Sequence, residues 1–196
     1  MGFSHSWIAV QGLTRERALE VLGMEISPAR RPNLFMDGVA LIDWPDWLLV
    51  ISDKDNDAFE GPLSKLAAFG PAVACTINER VMYSEARGYE TGEQLWSVVH
   101  DPNGDESLYS LQITGSPPNQ LESIARDAKA EQDKEGGEES DVDFIFDVPP
   151  RLAEAICGFM LGEGDLDAIR FSNLKLIGSP EPSEKRGFFA RLFGGG

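Results

Sequence analysis

A chain of 196 residues with 42% hydrophobic content and four tryptophans carries enough apolar material for a real core, which excludes a disordered protein. Its formal net charge of −16 argues against nucleic acid as a ligand, because phosphate binding needs a cationic face. The same charge suits either solubility or attraction to a basic protein partner.

The first residues show no basic region followed by an apolar run, so no signal peptide is expected, and no window approaches the ~20 apolar residues that span a bilayer. Met1-Gly-Phe-Ser-His-Ser6 matches the loose N-myristoylation pattern, yet the same residues lead straight into an expected strand. The expected setting is cytoplasmic. Cys75 and Cys157 lie among apolar neighbours and read as buried thiols in a reducing compartment. A disulfide between them stays open, and no Cys/His spacing points to zinc.

In chain order, residues 3–11 read as a strand buried on both faces. Thr14 is an N-cap for a short helix with Ala18, Leu19 and Leu22 on its inner stripe, and Gly23 stops it. Residues 27–33 read as a loop. Residues 38–43 and 47–52 are two apolar strands joined by Trp44-Pro-Asp46, so this hairpin should be central. Asp53-Lys-Asp-Asn-Asp57 resembles the start of an EF-hand loop, but Ala58 replaces the turn glycine and Ser64 the bidentate glutamate. A solvated loop is expected there, with no metal. Phe59, Leu63, Leu66 and Ala67 then follow helical spacing up to Gly70-Pro71.

Residues 72–114 read as a meander of consecutive strands. The expected strands are 72–77, 81–87, 94–100 and 108–113, with a turn over 88–92 and a tight hairpin at Asp101-Pro-Asn-Gly-Asp105. Leu121, Ile124, Ala125 and Ala128 mark a helix with a thin apolar stripe, which fades into a mobile acidic loop at about 131–141 with no core residue. Residues 142–148 suggest a short strand. Pro149-Pro150 open a helix whose face is Leu152, Ala155, Ile156, Phe159 and Met160, and residues 169–177 suggest a last strand. From 179 to 196 a Pro-containing linker leads to a basic, aromatic tail. Phe188, Phe189, Leu192 and Phe193 there share one side of a helical turn, beside Lys185, Arg186 and Arg191.

Catalytic candidates are few. His100 with Glu79 and Glu85 is the one set that a small hydrolase or metal-dependent enzyme would draw on, provided the three converge. No nucleophile elbow, Cys/His pair or phosphate loop accompanies it, and no cofactor is expected. Trp44, Trp47 and Trp96 are candidates for lining a small-ligand pocket.

The string Glu79-Arg-Val-Met-Tyr-Ser-Glu-Ala86, followed by Gly92 and Trp96-Ser-Val-Val-His-Asp101, resembles a pattern of uncharacterised bacterial cytosolic proteins, and the resemblance implies no activity. In charge and size the chain is also similar to immunity proteins, which bind toxin domains. The sequence therefore predicts an α+β domain over residues 1–178, a mostly antiparallel sheet packed by three to four helices. The function expected is a non-enzymatic binding or regulatory one with a protein partner.

Overall fold

The computed structural model of the chain describes residues 4–28, 38–105, 107–161 and 171–179. Among these, nine strands form one open antiparallel sheet of mixed α+β architecture. In chain order they are β1 (Ser4–Gln11), β2 (Met24–Ile26), β3 (Val39–Trp44), β4 (Trp47–Ser52), β5 (Ala72–Asn78), β6 (Tyr83–Glu90), β7 (Glu93–His100), β8 (Gln112–Gly115) and β9 (Phe171–Leu176). Across the sheet the order is β2-β9-β3-β4-β1-β5-β6-β7-β8. No described helix is long and apolar enough to cross a membrane.

Both faces of the sheet centre are covered, which explains why β1, β4 and β5 are apolar without alternation. One face carries Trp7, Ala9, Ile42, Leu49, Val73, Cys75, Ala86, Trp96 and Val98. Over it pack helix α3 (Gln120–Lys134) and helix α4 (Val148–Cys157), with a 3-10 turn at Ile145–Asp147 between them. The other face carries Ile8, Val10, Leu41, Val50 and Ala74 beneath helix α1 (Arg15–Leu22) and a 3-10 helix at Pro62–Phe69. Thr14 caps α1 by accepting from the Arg17 amide, and Gly23 ends it with φ 63°. Arg15 pins α1 to the sheet through Asp43 on β3 and Ser172 on β9.

Several boundaries differ from the sequence reading, each for a local reason. The 88–92 turn is smaller than expected. β6 runs to Glu90, and Thr91-Gly92 alone, at φ 47° and 90°, closes the hairpin to β7. Gly88 pairs with Trp96 within the strand, and only glycine fits there because a β-carbon would lie 2.1 Å from the Trp96 ring nitrogen. The Asn103-Gly104 pair makes no tight hairpin. Asp101 caps the Gly104 amide at 3.1 Å and Pro102 opens a single helical turn, α2 (Pro102–Asp105), so the chain pairs again only at β8 rather than over 108–113.

The expected 131–141 loop begins as the last turn of α3, and the 142–148 strand is replaced by the 3-10 turn and the start of α4. Gln132 is the cause. It is fully buried, its amide donates to the Gly137 and Val142 carbonyls, and its oxygen accepts from the Phe144 amide. On α4 the inner side is Pro149, Leu152, Ala153 and Cys157, not Ala155, which is exposed. Phe159 is buried beyond the helix end, in edge-to-face contact with Trp7 and Trp44.

Candidate functional site

The register decides what His100, Glu79 and Glu85 can do together. Ser84 pairs with His100 and Glu85 with Val99, and residues directly opposite across strands share a face. His100 therefore lies on the face covered by α3 and α4, and Glu85 on the other. Glu79 is exposed in the turn between β5 and β6. The convergence that a catalytic or metal-binding role for these three would require does not form. Among the described residues no group of three or more His, Cys, Asp or Glu is placed to hold a metal.

Each candidate has a structural partner instead. His100 is wholly buried, with Nδ1 2.8 Å from the Ser110 carbonyl and Nε2 2.9 Å from the Asp143 carboxylate. A carbonyl only accepts, so Nδ1 carries a proton, and the carboxylate draws a second onto Nε2. Burial pulls the imidazole pKa down, but the bonds to Asp143 and Ser110 and the Asp143 charge outweigh it, holding it above the usual 6.5. The other oxygen of Asp143 caps the Ile145 and Phe146 amides at 3.1 Å each. Ser84 lies beside His100 but donates to the Phe146 carbonyl at 2.6 Å, so Ser84, His100 and Asp143 do not constitute a nucleophilic triad. Together they clasp the α3–α4 connection to the sheet. The sequence signal for Asp143 is an aspartate just ahead of the run Phe144-Ile-Phe146, a turn cap rather than part of the expected 142–148 strand.

On the opposite face Glu85 accepts from Tyr83 and Arg87, both at 2.6 Å, and Arg87 stacks 4.2 Å from the Phe59 ring centroid. Burial, then the bond to Glu85, pushes the Tyr83 hydroxyl well above its ordinary value. Glu85 continues a row of polar residues, Ser52, Ser6 and Thr76, set side by side on β4, β1 and β5. Their hydroxyls hold the 53–59 loop, the segment that resembles the start of an EF-hand. Ser6 donates to the Lys54 carbonyl and accepts from the Ala58 amide, Ser52 donates to Asp57 and Thr76 to the Asp55 carbonyl. The loop is thus tied down by the sheet rather than solvated, with Asp57 buried.

The three tryptophans do not line one pocket. Trp44 and Trp47 flank the β3–β4 turn, where Trp44 donates to the Cys157 carbonyl at 3.1 Å. Trp96 lies on β7, four strand spacings from β4, or ~19 Å, under Gly88 and with 6% exposure. Both cysteines are free and buried, and burial pushes the Cys157 thiol up to about 12. Phe188, Phe189, Leu192 and Phe193 lie outside the described residues.

Among the described residues, a cleft of about 320 Å³ opens where α3 and the start of α4 meet. Ile124, Ala128 and Phe144 give it an apolar floor, while Asp127, Glu131 and Asp147 supply carboxylates beside Arg151. Ile124, Asp127, Ala128 and Glu131 recur at helical spacing, so they form one face of α3. That stripe is only half-buried, because α4 covers it incompletely. The arrangement can seat an apolar, positively charged segment. No protein-family model, no curated protein and no solved structure matches this chain.

Proposed function

We propose that this chain is a non-enzymatic protein-binding domain that receives a cationic, amphipathic segment in the cleft between α3 and α4. The observation that carries the reading is the pairing of an apolar floor with exposed carboxylates at Asp127 and Glu131. An amphipathic helix docks by burying its apolar side in such a groove while its cations meet acidic neighbours. The disposition of the reactive groups supports the same reading: His100 is engaged at both nitrogens, Glu85 at both oxygens, and the thiols are buried. Two buried free thiols also suit the reducing interior of a cytoplasmic setting.

The test is a titration of the full chain with a synthetic amphipathic peptide of lysine and leucine, followed by amide shifts. Shifts clustered on α3 and α4, and lost in Asp127→Lys/Glu131→Lys, are the expected result. Shifts scattered over the surface, or indifferent to those two substitutions, would overturn the reading.

A further inference from the structure

We infer that the occupant of the α3–α4 cleft is this chain's own segment 185–193, an inference that rests on the cleft being a docking site. Charge is the first argument. The segment brings Lys185, Arg186 and Arg191 to a chain of net charge −16, and the cleft presents Glu131, Asp147 and Asp127, which outnumber its own Arg151 although Asp127 is also paired at 2.9 Å with Arg126. Cations in a strongly acidic protein are attracted to its local carboxylate clusters, most strongly at short tether lengths.

Shape gives the second argument. Phe188, Phe189, Leu192 and Phe193 recur at i, i+1, i+4 and i+5, which sets them along one side of a helix. The floor formed by Ile124, Ala128 and Phe144 is the apolar strip such a side would cover. Each phenylalanine or leucine taken out of water is stabilised by ~1.5–3 kcal/mol, and a segment this short holds no helix alone in water. Docking supplies what the isolated segment lacks.

Reach is the third. The described chain ends at Ser179, just past β9. β9 is five strand spacings from β6, against which α4 packs, or ~24 Å across the sheet. Helices lie ~10 Å above a sheet, so the direct path is ~26 Å. Nine residues from Ser179 to Phe188 span at most ~32 Å. A tether of this length reaches the cleft when nearly extended, the form that Pro180 and Pro182 favour.

The experiment is limited chymotrypsin digestion of the native full chain, following cleavage after Phe188, Phe189 and Phe193 by mass spectrometry. Docking protects these bonds. Asp127→Lys/Glu131→Lys, on the exposed side of α3, should speed cleavage about tenfold, the effect of losing two exposed ion pairs and gaining repulsion. Adding Lys185→Glu, Arg186→Glu and Arg191→Glu to that variant should restore protection, which a merely loosened fold would not do. Protection in the unaltered chain should also be the same at high and low protein concentration. Protection lost on dilution would assign the cleft to a second copy and overturn the inference. Cleavage rates equal in the unaltered and cleft variants would overturn it too. If the Lys/Leu peptide still binds the cleft in that case, the docking-site reading stands and only the occupant is wrong; if it does not, both fail.

Discussion

His5 and His100 stand at the two ends of one cross-strand row, His5-Ile77-Ser84-His100, yet burial acts on them with opposite results. Neither ring nitrogen of His5 has a hydrogen-bond partner, and desolvation lowers its pKa to about 4. The folded state thus refuses a proton that the unfolded chain accepts from 6.5 downward. The contribution of His5 is complete above pH 6.5 and declines as pH falls toward 4, by roughly 3 kcal/mol in all. His100 has the reverse sign. Its raised folded pKa means its stabilisation is complete below 6.5 and is lost as pH rises through that folded value. Denaturant titrations over this range should show His5→Leu flattening the acid limb, while Asp143→Asn weakens the alkaline one. Asp143→Asn should also cost ~1–3 kcal/mol, since it removes the carboxylate that holds the buried His100 ring and caps the Ile145 and Phe146 amides. An acid limb unchanged in His5→Leu would show that His5 is hydrated in solution.

At the scale of elements, two residues set boundaries that propensity alone does not. Gln132 satisfies three backbone groups between Gly137 and Phe144, so it organises the connection from α3 to the 3-10 turn. Its replacement by Ala removes three part-buried hydrogen bonds at ~0.5–1.5 kcal/mol each, and a loss near ~3 kcal/mol is expected. Amide exchange should show the Phe144 N–H protected in the unaltered protein and fast in Gln132→Ala. Rapid exchange at Phe144 in both would mean that the connection is mobile. Gly88 fixes the β6–β7 pairing in another way, by leaving room for the Trp96 ring. Gly88→Ala forces that indole off its site and should lower stability by ~1–3 kcal/mol, the cost of overpacking a filled core. A urea midpoint equal to that of the parent would contradict this account.

For the molecule as a whole, the net charge of −16 is a self-repulsion that folding concentrates into a smaller volume. Raising sodium chloride from about 0.01 to 0.15 M shortens the screening length from ~30 to ~8 Å. The melting temperature should rise over that interval. The loss of exposed pairs such as Arg17–Glu20 opposes the rise only weakly, since each contributes under ~1 kcal/mol. A fall in melting temperature would show that attractive pairs outweigh the net repulsion. The sheet takes part in this balance: its centre is sheathed on both faces, whereas β8 at one edge is exposed along its whole length, with Ile113 half-exposed. Charge of a single sign is one way to keep such an edge from pairing with another molecule.

The sequence by itself determined the periodic and punctuated parts of this protein. Thr14 and Gly23 bounded α1, the apolar run of β1 marked it as buried on both faces, those of β3 and β4 marked a central hairpin, and the α+β class followed from their mixture with helical stripes. These signals are local, because a cap or a period is complete within a few residues. Tertiary structure decided the rest. Whether His100 meets Glu85 depends on a strand register, which the sequence of either strand leaves open, and the pairing of Ser84 with His100 put the two on opposite faces. Gln132 looked like one more polar residue in a charged run until Phe144, twelve positions on, supplied its amide. Asp143 and Ser110 became the partners of His100 only through folding, across 43 and 10 positions of chain. The cleft itself is the gap between a helix with a thin apolar stripe and a second helix too short to cover it, a quantity that belongs to their packing and to neither sequence alone.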